Sequence, residues 1–172
     1  WAGSNTHSED IRKVFALVPD LLHKEKDLHF ETIGLDPPKE LIGHPRVSKR
    51  NYAAVAEYPA RLASWSWDLS LAPLEYNEFN RAKSNIKILE ATAVGIPILV
   101  SDIAAYGDFM RMDKELRYLL CTKSSDWSTK IVELKNEPQH REVLVRKMRQ
   151  VVKENFMASV IARKWRSVLG SL

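Results

Sequence analysis

The stretch Asn80-Arg81-Ala82-Lys83-Ser84-Asn85-Ile86-Lys87-Ile88-Leu89-Glu90-Ala91-Thr92-Ala93-Val94-Gly95-Ile96-Pro97-Ile98-Leu99-Val100-Ser101 decides how the chain is read. It predicts a helix, a glycine stop and a short buried strand. Ala82, Ile86, Leu89 and Ala93 recur at helical spacing, the pattern of one apolar stripe. Lys83, Lys87 and Glu90 share a different face, and Gly95 is the residue type that closes helices in the left-handed conformation. The run Ile96 to Val100 is continuously apolar, as parallel strands covered on both faces are. The charge distribution is unusual. A helix amino end carries a partial positive charge and favours acids, yet Arg81, Lys83 and Lys87 crowd this one. Lysines four residues apart also repel. A bound anion, most naturally a phosphate, relieves both conflicts.

Outward from this stretch, strand and helix patterns alternate. Trp1-Ala2 reads as the end of a strand, followed by a polar loop from Gly3 to Ser8. Thr6 and Glu9 have capping-box spacing, and Glu9 with Asp10 suits a helix start. A helix is predicted from Glu9 to Lys26 with Ile11, Phe15, Val18 and Leu22 on one face and room for a kink at Pro19. Strands are expected at Leu28–Leu35, Val47–Tyr52, Asp68–Leu74, Ile96–Ser101 and Leu116–Cys121. Helices are expected at Ala53–Trp65 (starting near Glu57, because Pro59 suits a first turn), Ala104–Met112, Asp126–Lys135, Pro138–Asn155 and Met157–Leu169. This alternation predicts an α/β fold, a Rossmann-like doubly wound parallel sheet with helices on both faces. Ligands of such folds bind beyond the carboxyl ends of the strands. The loops Gly3–Ser8 and Glu75–Ser84 both leave strands for helices, so both are expected on that edge.

With 172 residues the chain suits one domain with a sizeable core. A net charge of +4 favours anionic partners without demanding nucleic acid. Cys121 is the single cysteine, so no internal disulfide framework is available and a reducing cytoplasm is the expected setting. The five histidines are dispersed without helical metal-ligand spacing, so no metal site is expected. No Asp-x-Asp, glycine-rich dinucleotide or P-loop pattern occurs.

Each candidate residue has a plain reading beside the functional one. Lys83, Ser84 and Lys87 are either a solvated basic face or a phosphate clamp; their place at a helix start beyond a buried strand favours the clamp. Glu90 is either an ion-pair partner of Lys87 or a carboxylate for ribose hydroxyls, and position leaves both open. Gly3, Ser4 and His7 form either a capping loop or a close approach to a diphosphate. A Ser4–His7–Asp10 hydrolytic triad is rejected, because Asp10 is better used at the helix start. Trp65, Trp67, Trp127 and Trp165 read as packing residues.

At these residues the chain resembles the C-terminal, nucleotide-sugar-binding domain of GT-B-fold glycosyltransferases of family-4 type. The pattern Glu-Ala-x-Ala-x-Gly-x-Pro is met by Glu90-Ala91-Thr92-Ala93-Val94-Gly95-Ile96-Pro97. A subgroup pattern, Phe-Asn-x-Ala-Lys-Ser-x-x-Lys, is met by Phe79 to Lys87. The opening Trp1-Ala2-Gly3-Ser4-Asn5-Thr6-His7 and the segment Asp68 to Leu74 fit the same subgroup. The resemblance implies that residues 1–172 are a donor-binding domain from a longer protein, with no cofactor and no metal. A nucleoside-diphosphate sugar (a UDP- or GDP-sugar) would be the co-substrate. It implies Glu90 at the ribose and Lys83, Ser84, Gly3 and His7 near the diphosphate. The family usually places a first glutamate eight residues before the second, against the donor sugar. Ala82 stands there in this chain, and Glu78, Asn80 and Lys83 are the side chains at hand to take that contact. The implied partners are an N-terminal domain of the same protein and a glycan or lipid acceptor. The inner face of a membrane is an alternative address for the full-length protein.

Two other classes compete. One is a non-catalytic nucleotide-binding or regulatory module of the same fold. The other binds RNA or a membrane surface through Arg141–Lys153 and Arg163–Arg166; a pair of amphipathic surface helices explains those residues better. The stripe Val160, Ile161, Trp165, Val168 and Leu169 is expected to pack partly on the absent domain.

Overall fold

A computed structural model describes residues 1–3, 8–51 and 53–170. The chain opens with Trp1-Ala2 lying parallel to β1 (Phe30–Ile33). Trp1 N donates to Glu31 O at 2.9 Å, Ile33 N to Trp1 O at 2.9 Å and Gly3 N to Ile33 O at 3.1 Å. On its other side β1 pairs in parallel with β2 (Val47–Arg50), Phe30 opposite Val47 and Ile33 opposite Arg50. A second parallel group has the order β3 (Ser70–Ala72), β4 (Ile98–Ser101), β5 (Leu120–Cys121). Helices lie on both sides, the doubly wound arrangement expected. Ile98, Leu99 and Val100 of β4 are almost fully buried, in keeping with a central parallel strand.

The helices between the strands follow local chemistry, and three of them depart from the sequence expectation. The predicted helix Glu9–Lys26 divides into α1 (Ser8–Phe15) and α2 (Val18–Lys24). Pro19 falls in the first turn of α2, where its missing N–H costs nothing, so the kink becomes a break. The predicted face survives the break, since Ile11, Val18 and Leu22 are buried. The capping box at Thr6 and the strand end at Tyr52 lie outside the described residues. The expected late start of the next helix holds, with α3 at Tyr58–Ser64 following Glu57.

The second departure falls in the quoted stretch. In place of one helix there are two, α4 (Glu78–Arg81) and α5 (Ile86–Val94). The side chain of Asn77 accepts from Asn80 N at 2.8 Å and starts α4, and the chain turns at Ala82 to Asn85 before α5. The predicted stripe fails within α5 itself, which holds Ile86, Leu89 and Ala93 but buries a neighbouring face. Ala82 and Ala93 are exposed and Ile86 is 51% exposed, while Ile88, Ala91 and Thr92 form the buried face of α5. Gly95 closes α5 with φ 78°, as expected, and Ile96 N donates back to Ala91 O at 2.9 Å.

The third departure is Leu116–Leu119, a 3₁₀ turn rather than the start of a strand. Residues three apart eclipse in such a turn, so Leu116 and Leu119 are both buried where strand alternation would separate them. Between β4 and this turn lies α6 (Ala104–Met110), whose Phe109 and Met110 enter the core. After β5 come α7 (Ser124–Asn136), α8 (Pro138–Asn155) and α9 (Ala158–Leu169). α8 packs against α5 and α7, burying Leu144 and Met148, whereas α9 buries no residue. No described helix is long and apolar enough to cross a membrane.

Candidate functional site

The carboxyl ends of the strands are fastened together. Ser101 Oγ accepts from Leu74 N at 2.8 Å and donates to Leu74 O at 3.0 Å, tying the end of β4 to the chain leaving β3. Past Leu74 the chain meets Asp10, the third residue of α1. Asp10 Oδ1 accepts from Glu75 N at 2.9 Å and from Asn80 Nδ2 at 2.7 Å, and Oδ2 from Lys83 Nζ at 3.2 Å. Asn80 Nδ2 also donates to Glu75 O at 2.8 Å. Asp10 is only 4% exposed, so these donors replace the water its carboxylate has lost. The start of α1 and the loop from Glu75 to Ser84 therefore share one edge; residues 4–7 of the other loop singled out in the sequence lie outside the described residues.

Beside this knot lies the amino end of α5. Its first turn holds no acid, and Asn85 makes no side-chain capping bond. That leaves N–H groups and the positive end of the helix dipole uncompensated from within the helix. Lys83 precedes it with its side chain 19% exposed and its ammonium 5.0 Å from the Phe79 ring centroid. Lys87, in the first turn, lies 3.6 Å from Glu90 and 5.7 Å from the Tyr58 ring centroid. Tyr106 of α6 is buried near the same acids. Its hydroxyl is held well above the ordinary tyrosine range by burial, then by the negative charges of Asp10 and Glu90.

The predicted residues separate into groups. Lys83, Ser84, Lys87 and Glu90 come together around the start of α5. The crowding of cations read from the sequence is answered by carboxylates: Arg81 pairs with Glu78 at 3.1 Å, Lys83 with Asp10 and Lys87 with Glu90. Asn80 is buried, its amide committed to Asp10 and Glu75, which makes it part of the frame. Glu78, 92% exposed at the start of α4, complements that helix dipole. Gly3 has a reason that the sequence did not show: a Cβ there would stand 2.4 Å from the Trp1 ring. Ser4 and His7 lie outside the described residues. Asp10 and Tyr106 are the residues that sequence reasoning missed. Asp10 looked like a second dipole acid beside Glu9, and nothing in one dimension distinguishes an acid facing solvent from one facing a loop 65 residues away.

A cleft of about 450 Å³ lies elsewhere, lined by Leu28 and His29 before β1, Asp68 and Leu69 before β3, and Trp67. None of the predicted site residues lines it. Among the described residues no group of three His, Cys, Asp or Glu side chains could hold a metal ion.

Comparison with known proteins assigns the chain to a family. A profile described as "Glycosyl transferase-like" matches residues 12–167, nearly the whole chain. The chain belongs to the glycosyl transferase-like family. Solved structures of similar fold agree. The crystal structure of TarM has a TM-score of 0.74 at 17% identity, covering 97% of this chain and 34% of TarM. A second structure, a mutant of TarM from S. aureus in complex with fondaparinux, alpha-GlcNAc-glycerol and UDP, gives 0.73 at 17% identity, covering 96% of this chain and 34% of that one. A mutant of the Thermobaculum terrenum O-GlcNAc transferase gives 0.64 at 16% identity, with 91% and 32% covered. These are GT-B glycosyltransferases, and this glycosyltransferase-like chain spans about a third of their length. No curated protein sequence matches it.

Proposed function

We propose that the chain is the donor-binding half of a glycosyltransferase and that it receives the diphosphate of a nucleotide sugar at the amino end of α5. One observation carries the reading. In a member of this family, Lys83, Lys87 and an uncapped helix start meet at the carboxyl edge of parallel strands. That edge is where ligands of doubly wound sheets bind. A structural neighbour holding UDP is consistent with it.

Transfer of the sugar breaks its bond to the nucleoside diphosphate, and negative charge grows on the departing phosphate. Lys83, Lys87 and the α5 dipole are preorganised cations at that point, so they stabilise the leaving group more as the bond breaks. Ser84, exposed just before α5, supplies a hydroxyl donor. Glu90 lies one helical turn beyond Lys87, within reach of ribose hydroxyls once its ion pair with Lys87 opens. The donor is a UDP- or GDP-sugar and the acceptor a glycan or lipid bound by the remainder of the protein. The same remainder covers the exposed stripe Ile161, Trp165, Val168 and Leu169 of α9.

Titration of the full-length protein with UDP, GDP, uridine and guanosine tests the donor site. One diphosphate is expected to bind at least tenfold more tightly than its nucleoside, as charge-assisted phosphate contacts require. Equal affinities would remove the diphosphate from the site. Sugar transfer by the same protein separates a transferase from a binding module.

A further inference from the structure

We infer that Asp10 is the positioning residue of this donor site: its buried carboxylate ties α1 to the loop from Glu75 to Lys83 and sets where the Lys83 ammonium stands. The inference rests on the donor-site reading above and names the residue that assembles it. Three observations support it.

The first is the contrast between neighbours. Glu9 and Asp10 both lie in the first turn of α1, where an acid needs only to face the helix end. Glu9 does this from the surface, while Asp10 is buried. Burial costs a carboxylate its hydration, a loss that outweighs the larger dipole term gained in a less polar setting. The second is the division of labour between the two oxygens. Oδ1 holds the loop through Glu75 N and Asn80 Nδ2, and Oδ2 holds the Lys83 ammonium. A neutral residue of the same shape cannot do both, because an amide in this place presents one acceptor and turns N–H groups toward other donors. The third is Asn80. Its Nδ2 donates twice, yet its Oδ1 is buried with no partner among the described residues. A buried unpaired carbonyl is costly. It is tolerated here with the side chain fixed toward Asp10, which is the expected mark of a frame built for orientation.

Asp10 touches no substrate in this scheme; it acts through Lys83. The test is a double-mutant cycle in the full-length protein, read by titration calorimetry with UDP and uridine, or with GDP and guanosine if that pair binds the wild type. Asp10→Asn is expected to weaken the diphosphate about tenfold and the nucleoside by less than twofold. In the Lys83→Ala background it is expected to have no further effect on the diphosphate, because coupled neighbours are not additive. Asp10→Glu keeps the charge but moves it by one methylene, and is expected to lose diphosphate selectivity by a smaller factor. It supplies the same comparison if the asparagine variant does not fold. Equal weakening of diphosphate and nucleoside, or a full Asp10→Asn effect without Lys83, would overturn the positioning role. A wild type without selectivity for either diphosphate would overturn the donor site itself, a result visible before any variant is made.

Discussion

The segment from Leu74 to Val94 and the last helix, α9, are both amphipathic and rich in cations, yet the fold treats them in opposite ways. In the first, two of the three cations are drawn inward and met by acids, Lys83 by Asp10 and Lys87 by Glu90, while Arg81 stays at the surface. In the second, Arg163, Lys164 and Arg166 lie on a helix with no acid of its own, and Trp165 is 61% exposed. Long-range pairing of a buried charge marks a place the chain has built for itself. The apolar stripe of α9 is instead left on the surface of the described residues.

The most disruptive test of that contrast compares buried and exposed helix faces. Leu144→Ala in α8 is expected to lower stability by about 2–5 kcal/mol, because it leaves a cavity between α8 and its neighbours. Trp165→Ala in α9 is expected to change the stability of the isolated chain by less than about 0.5 kcal/mol. Chemical denaturation measures both; a large loss at Trp165 would mean that α9 is held by this chain after all.

The next effect concerns Lys83. Lys83→Ala in the full-length protein is expected to lower kcat for sugar transfer about tenfold or more, beyond any change in KM, because the ammonium is worth most when the leaving group is charged. A change in KM alone would assign it to ground-state binding.

A smaller effect is expected at acid pH on the other flank of the sheet. Burial alone would raise the Glu31 carboxyl, but bonds from Arg50 (2.6 Å), Trp67 (2.5 Å) and Ser48 (3.0 Å) outweigh it and hold the group below its ordinary value of 4.5. A depressed folded value stabilises the fold fully above the unfolded value and loses that stability as pH falls below about 4.5 through the folded value. Melting temperature is therefore expected to fall less steeply with acid in Glu31→Gln than in the wild type. Parallel curves would remove Glu31 from the acid response. The smallest effect belongs to the pair Lys87–Glu90, half-buried at 3.6 Å within one helix, where Glu90→Gln is expected to cost only a few tenths of a kcal/mol in stability. A larger loss would make Glu90 a structural residue.

These outcomes bear on what the sequence could show. The parallel sheet was legible because Ile98 to Val100 is an apolar run, Leu28, Phe30 and Ile33 mark a second strand, and helix patterns lie between them; periodicity encodes burial directly. The glycine stop at Gly95 was legible because φ 78° is chemically specific. The break between α4 and α5 was not, because it depends on Asn77 and on the inward pull of Asp10, a side chain 70 residues distant from Asn80. Spacing placed Lys83, Lys87 and Glu90 at one helix start but could not show which acids already face them. Asp10 and Tyr106 became visible only when the loop folded over α1 and α6.

The most direct test of the account is a crystal structure of the full-length protein with a UDP- or GDP-sugar. The diphosphate is predicted to lie against the first turn of α5, within hydrogen-bonding distance of the Lys83 ammonium. Ligand density in the cleft beside Trp67 and Leu69, with the start of α5 unoccupied, would contradict it.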